Sequence, residues 1–180
     1  MEYNGAQIVV KCFLELNWPK SCRILDIGAG TGIIGSLLKA NGYENIDGLD
    51  GSPKMLDLAK EKNCYKNLIH SIVASNIRLP IDSKTYDVII MAGVFCPGHI
   101  SVDAFNEILR ITKSGGTICW AMAVTTVYAD KDEEFRDGHF ERSIVALCDR
   151  LKWLSILGYP KRVDNYLHGK DGWFHAMQVI

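Results

Sequence analysis

No stretch of this sequence approaches the roughly 18 consecutive apolar residues that a membrane span needs. Glu2 and Lys11 interrupt the N-terminal region where a signal peptide would carry its apolar core. Charge of one sign is also lacking: 20 Lys and Arg stand against 21 Asp and Glu, for a formal net charge of -1. No window gathers basic residues as a phosphate-tracking surface does. The six cysteines, Cys12, Cys22, Cys64, Cys96, Cys119 and Cys148, include no C-x-x-C and no His/Cys pair at metal spacing. Most lie in apolar periodic segments, where cysteine acts as a small hydrophobe. Internal repeats and low-complexity linkers are missing too. These absences disfavour a membrane protein, a nucleic-acid partner, a metal site and a disulfide scaffold, and lead us to expect a soluble cytoplasmic chain with reduced thiols.

What is present is an ordinary globular balance, 48% hydrophobic and 23% charged over 180 residues. That length buries one sizeable core, so a single domain over 1–180 is expected.

The chain is organised around Arg23-Ile24-Leu25-Asp26-Ile27-Gly28-Ala29-Gly30-Thr31-Gly32, which runs into Ile33-Ile34-Gly35-Ser36-Leu37-Leu38. An apolar run, alternating glycines and a helical pattern read as strand, tight turn, helix. Glycines there allow positive φ and the close approach of a ligand. In an open α/β sheet this position, past the carboxyl end of the first strand, is where nucleotide-type cofactors lie.

Gly30-Thr31-Gly32-Ile33-Ile34-Gly35 also satisfies the G-x-G-x-x-G dinucleotide pattern. In the register that starts at Gly28, however, Ile33 stands where the third glycine belongs. Asp26 would repel a diphosphate and suit a ligand carrying positive charge. An NAD-dependent oxidoreductase is therefore the weakest of the readings.

Asp-x-Gly-x-Gly-x-Gly at the end of a first strand resembles the class I S-adenosylmethionine-dependent methyltransferases. The resemblance implies a Rossmann-like α/β fold: a mostly parallel seven-stranded sheet, helices on both faces and a C-terminal antiparallel hairpin. It implies S-adenosylmethionine as cofactor, with S-adenosylhomocysteine as product, held by Asp26, Gly28, Ala29, Gly30 and Gly32. Asp50, some twenty residues beyond the turn at the end of a second strand (45–50), is suited to accept from both ribose hydroxyls. Gly51 and Ser52 follow it, with Ser52 as N-cap and Pro53 at the first helical position. Asp-x-Ser-x-x-Met-Leu resembles the second motif of these enzymes, which implies that Met55 lies beside the adenine.

A third strand is read at His70–Ala74. Many relatives carry an aspartate after it; here Ser75, Asn76 and Ile77 stand there, and either polar side chain can accept a hydrogen bond. Tyr86–Gly93, the most apolar strand, is expected at the sheet centre, with its exit, Ala92 to Ile100, beside the transferable methyl group and Ala92, Gly93 and Val94 among the cofactor-binding residues. A helix after Ser101 and a fifth strand over 117–122 follow. Phe140, Ile144, Leu147, Cys148, Leu151 and Leu154 form one helical face, and Val163–Tyr166 with Trp173–Ile180 an antiparallel pair. The expected division is an opening helix (5–17), a cofactor-binding half (22–100) and a C-terminal half (101–180).

Asp50-Gly51-Ser52-Pro53, Ala92 to His99 and Glu107 to Gly116 are similar to the methyltransferase-like proteins named after the Williams–Beuren syndrome chromosome region. That group usually carries a further helical, tyrosine-rich segment ahead of the position of Tyr3, which leads us to expect an open site or a cover from elsewhere. His99 is the candidate general base, needed only if the acceptor must lose a proton. Asn-Pro-Pro-Tyr is absent, which points away from adenine in DNA and toward a small-molecule or protein acceptor. The competing reading is a non-catalytic module that binds the cofactor or its product. Neither the atom methylated nor the oligomeric state is legible.

Overall fold

The computed structural model describes residues 3–150, 152–158 and 160–180. Among the described residues there are five α-helices: α1 (Gly5–Leu14), α2 (Ile33–Ala40), α3 (Pro53–Glu61), α4 (Phe105–Ile111) and α5 (His139–Asp149). The strands are β1 (Ile24–Ile27), β2 (Ile46–Asp50), β3 (Asn67–His70), β4 (Tyr86–Ala92), β5 (Thr112–Ala123), β6 (Trp153–Ser155), β7 (Lys161–Leu167) and β8 (Lys170–Val179). They form one sheet in the order β3-β2-β1-β4-β5-β8-β6, with β7 also paired to β8. The pairings from β3 across to β5 are parallel and those of β8 antiparallel. The strand order reverses between β1 and β4, which opens a crevice at their carboxyl ends.

The two sheet faces differ in the size of their side chains. Leu25, Ile27, Ile89, Met91, Ile118, Trp120 and Met122 meet α4 and α5, where Phe95, Phe105, Phe140 and Trp153 complete an aromatic cluster. Ile24, Val88, Ile90, Cys119, Ala121 and Ala123 meet α1 and α2. Small residues on that face let α1 lie close, with Val9 and Phe13 fully buried. Full burial of each large apolar side chain is worth about 1.5–3 kcal/mol.

Four expectations need correction. The sheet has eight strands, not seven. The extra one, β6, arises because the helix pattern read through Leu154 stops at Asp149. Trp153 then folds back, donates its indole N–H to the Ile144 carbonyl and stacks on Trp120, leaving Leu154 exposed on an edge strand. Leu151 lies outside the described residues. The opening helix ends at Leu14 rather than 17, where Asn17 turns the chain at φ 54°.

The third strand runs Asn67–His70, three residues ahead of the apolar stretch read as strand. It pairs level with β2, from Asn67 opposite Asp47 to His70 opposite Asp50, and ends where β2 ends. As an edge strand it buries little, so apolar content marked it poorly; Ile72, beyond it, is 60% exposed.

Candidate functional site

A cleft of about 330 Å³ opens at the carboxyl ends of β1, β2 and β4. Its walls are Ile27, Gly28, Leu49, Asp50, Gly51, Ser52, Ser71, Ile72, Val73, Val94, Gly98, His99 and Ile100.

The loop after β1 is shaped by three glycines that are glycine for three different reasons. A Cβ on Gly28, at φ 74°, would overlap Val94. A Cβ on Gly30, at φ 52°, would meet nothing nearer than the Gly28 carbonyl at 3.9 Å, so it would project into open space that a ligand could use. Gly32, at φ 83°, caps α2 and would press on Ala59 and Tyr65 at 3.2–3.3 Å. Left-handed backbone at all three is a conformation glycine adopts without strain.

Asp50 locks this loop to β2. One carboxylate oxygen accepts from the Gly30 N–H and the other from the Ser52 N–H, both at 2.8 Å. Each oxygen keeps a lone pair free, and the residue lies on the cleft wall. The Gly30 N–H is consumed by this bond and does not face a phosphate. Ser52 caps α3, its hydroxyl accepting from the Met55 N–H at 3.4 Å.

Asp26 is the other acid of the site and is wholly buried. One carboxylate oxygen accepts from the Tyr65 hydroxyl at 2.6 Å. The other is buried with no partner among the described residues. Desolvation drives its pKa up to about 7, opposed by the Tyr65 hydrogen bond and reinforced by the Asp50 charge. A half-satisfied buried carboxylate is costly and calls for a donor or cation. Tyr3 lies close by: burial, with the Asp26 charge contributing, raises its phenol to about 12.

At the end of β4, Gly93 turns at φ 69°, its N–H donating to the Tyr166 hydroxyl at 2.9 Å, and that hydroxyl donates to the Ala121 carbonyl at 3.0 Å. The chain then curls back, with Ile100 N–H donating to the Val94 carbonyl and His99 N–H to the Cys96 carbonyl. This brings Gly98, His99 and Ile100 to the cleft rim.

Of the residues read from the sequence, Gly28, Asp50, Gly51, Ser52, Val94 and His99 meet at the cleft. Asp26, Ala29, Gly30, Gly32, Ala92 and Gly93 are not among its walls. Met55, on α3, points outward at 41% exposure. The structure does not bring Ser75, Asn76 and Ile77 to the cleft: they lie in the turn beyond β3, and Ser71, Ile72 and Val73 stand there instead. The early end of β3 is the reason. Sequence reasoning also missed Tyr65, whose signal was indirect: Gly35 sits inside a helix with no turn to make. A Cβ there would overlap the Tyr65 ring, and the Gly35 N–H donates to the Tyr65 hydroxyl at 3.2 Å. The last glycine of the apparent dinucleotide pattern thus admits a tyrosine. No cluster of metal-ligating side chains occurs among the described residues.

A family model described as a methyltransferase domain matches residues 25–120. The chain is 28% identical over 164 residues to human methyltransferase-like protein 27, covering 88% of this chain and 62% of that protein, so it spans about three-fifths of that relative's length. A SAM-dependent methyltransferase from Aquifex aeolicus superposes with a TM-score of 0.67 at 20% identity, over 95% of this chain and 89% of its own. One from Corynebacterium glutamicum does so with a TM-score of 0.65 at 17% identity, over 100% and 89%.

Proposed function

This chain belongs to the methyltransferase-domain family, and from that premise we propose that it binds S-adenosylmethionine in the cleft and transfers its methyl group to a small-molecule or protein acceptor. One observation carries the reading: two carboxylates, Asp26 and Asp50, border the glycine loop whose Gly30 N–H is already bonded to Asp50. Such a loop is hostile to a pyrophosphate and suited to a ligand with ribose hydroxyls and a positively charged end. NAD is disfavoured on the same ground.

In this proposal Asp50 accepts from the ribose hydroxyls through its free lone pairs, and the open space at Gly30 admits the ligand's thioether region. Asp26 supplies negative charge toward the amino end. The wall of Ile72, Val73 and Leu49 takes the adenine. When bound, the cofactor supplies a methyl group made electrophilic by its sulfonium. The chain's part is to hold acceptor and methyl in line and to exclude water, a positioning that carries much of the rate in such a displacement. His99, on the rim, receives a proton where the acceptor must lose one.

A cytoplasmic setting fits the six free thiols. No helix among the described residues is long and apolar enough to cross a membrane.

Calorimetric titration with S-adenosylmethionine, S-adenosylhomocysteine and NAD tests the reading. Binding of the first two without the third is expected. Asp50→Ala should cost about 1–3 kcal/mol of that affinity with little change in folding. Binding of NAD alone would refute the assignment, and binding without methyl transfer to any acceptor would favour the non-catalytic module.

A further inference from the structure

Tyr65, half-buried between α3 and β3, has its ring housed by three elements. Its ring fills a slot left by glycines on the α2 cap, inside α2 and within β2. A Cβ on Gly35 would overlap it, one on Gly48 would lie 3.1 Å from the ring and one on Gly32 3.3 Å. Glycine inside a helix or strand costs roughly 0.5–1 kcal/mol relative to alanine. Two such positions, Gly35 and Gly48, are kept open here for one side chain.

The hydroxyl at the end of that ring has a defined orientation. It accepts from the Gly35 N–H at 3.2 Å, which fixes its own proton toward the Asp26 oxygen at 2.6 Å. Burial and the Asp26 charge push the phenol upward, so it remains a donor across the working pH range. The second Asp26 oxygen has no partner among the described residues.

We propose that Tyr65 is a positioning residue: by donating to one oxygen of Asp26 it fixes the orientation of the carboxylate and leaves the other oxygen for the positively charged amino end of the bound ligand. The proposal rests on the S-adenosylmethionine reading above and goes beyond it by naming a residue outside the cleft that acts through Asp26. Tyr65 serves only the amino-acid portion of the ligand. The groups near enough for the Asp26 charge to act on them, or to act on it, are Asp50 at the end of β2, Tyr3 ahead of α1, and Cys64 and Tyr65 between α3 and β3.

The test uses the full chain, calorimetry and two ligands: S-adenosylhomocysteine, and 5′-methylthioadenosine, which keeps the nucleoside and thioether but lacks the amino acid. Tyr65→Phe retains the ring in its slot. It should weaken S-adenosylhomocysteine about tenfold, a charge-assisted hydrogen bond's worth, and leave methylthioadenosine within about twofold. The pH at which S-adenosylhomocysteine affinity rises should move upward, because the bond that lowers the Asp26 pKa is gone. In an Asp26→Asn background the same substitution should change nothing further. Equal losses for both ligands, or additive losses in the double variant, would overturn the proposal and leave Tyr65 as packing. Failure of wild-type protein to bind either ligand would instead defeat the cofactor reading on which the proposal stands.

Discussion

Asp26 and Asp47 occupy neighbouring strands one residue apart in register, since Asp47 pairs with Leu25. Both are buried, at 0% and 3% exposure. They face opposite sides of the sheet and are treated oppositely. Asp47 is surrounded by donors: the Arg23 guanidinium at 2.9 Å, the Tyr86 hydroxyl at 2.8 Å and the Asn67 amide at 2.8 Å. Among the described residues Asp26 has one donor, to one of its two oxygens. The Asp47 cluster ties β2 to β3, to β4 and to the residue ahead of β1, and both of its oxygens are partnered within the chain. The Asp26 site keeps one oxygen without a partner among the described residues, which is the position where a further donor can bind.

Substitution at the two positions should therefore separate stability from binding. Asp47→Ala strips the buried Tyr86 hydroxyl and the Asn67 amide of their acceptor and should cost about 2–4 kcal/mol in urea denaturation. Affinity per folded molecule should stay unchanged. Asp26→Asn should do the reverse, losing affinity for S-adenosylmethionine while stability at pH 8 is held or raised. A large stability loss in Asp26→Asn would erase the distinction.

The pH dependence of stability sharpens it. Asp26 has a folded pKa raised from 3.8 to about 7 by desolvation. Its favourable share of stability is complete below the unfolded value and is lost as pH rises through 7. His175, buried against Trp120 with ring centroids 4.5 Å apart, is shifted the other way, its pKa lowered by desolvation from 6.5 to about 3. Its share is present above 6.5 and is lost as pH falls toward 3, by at most about 1.4 kcal/mol per pH unit. Between pH 4 and 6.5 the two oppose each other. Thermal melts should show a steeper acid loss in Asp26→Asn and a shallower one in His175→Phe.

The smallest effect expected is that of Arg23→Ala. The guanidinium is 48% exposed and rehydrates when unpaired, so about 1 kcal/mol or less should be lost in urea.

The glycine loop, Asp50 and the parallel order of β1, β2 and β4 were legible because each leaves a local signature: alternating glycines, an acid at a strand end, an uninterrupted apolar run. The end of β3 was not, since an edge strand with both faces half open has no strong pattern, and the apolar Ile72 beyond it belongs to the cleft wall. Leu154 misled in the opposite direction, its spacing continuing the α5 pattern although the buried Trp153 indole stacked on Trp120 requires the chain to reverse. Tyr65 could not be found by spacing, because its slot is assembled from three distant glycines, Gly32, Gly35 and Gly48. Asp47 looked like any polar residue in a short strand.

The part of Asp26 in binding is tested most directly by the affinity of S-adenosylmethionine measured by calorimetry from about pH 5.5 to 8.5 in wild type and in Asp26→Asn. The ligand's own amino group titrates near 7.7–8.0 in an unperturbed setting, so the decisive quantity is the difference between the two proteins. A wild-type affinity that climbs as Asp26 ionises near pH 7, beside a weaker affinity without that rise in Asp26→Asn, is the result predicted. Superimposable pH profiles of equal affinity would contradict it and make Asp26 a buried acid with no part in binding.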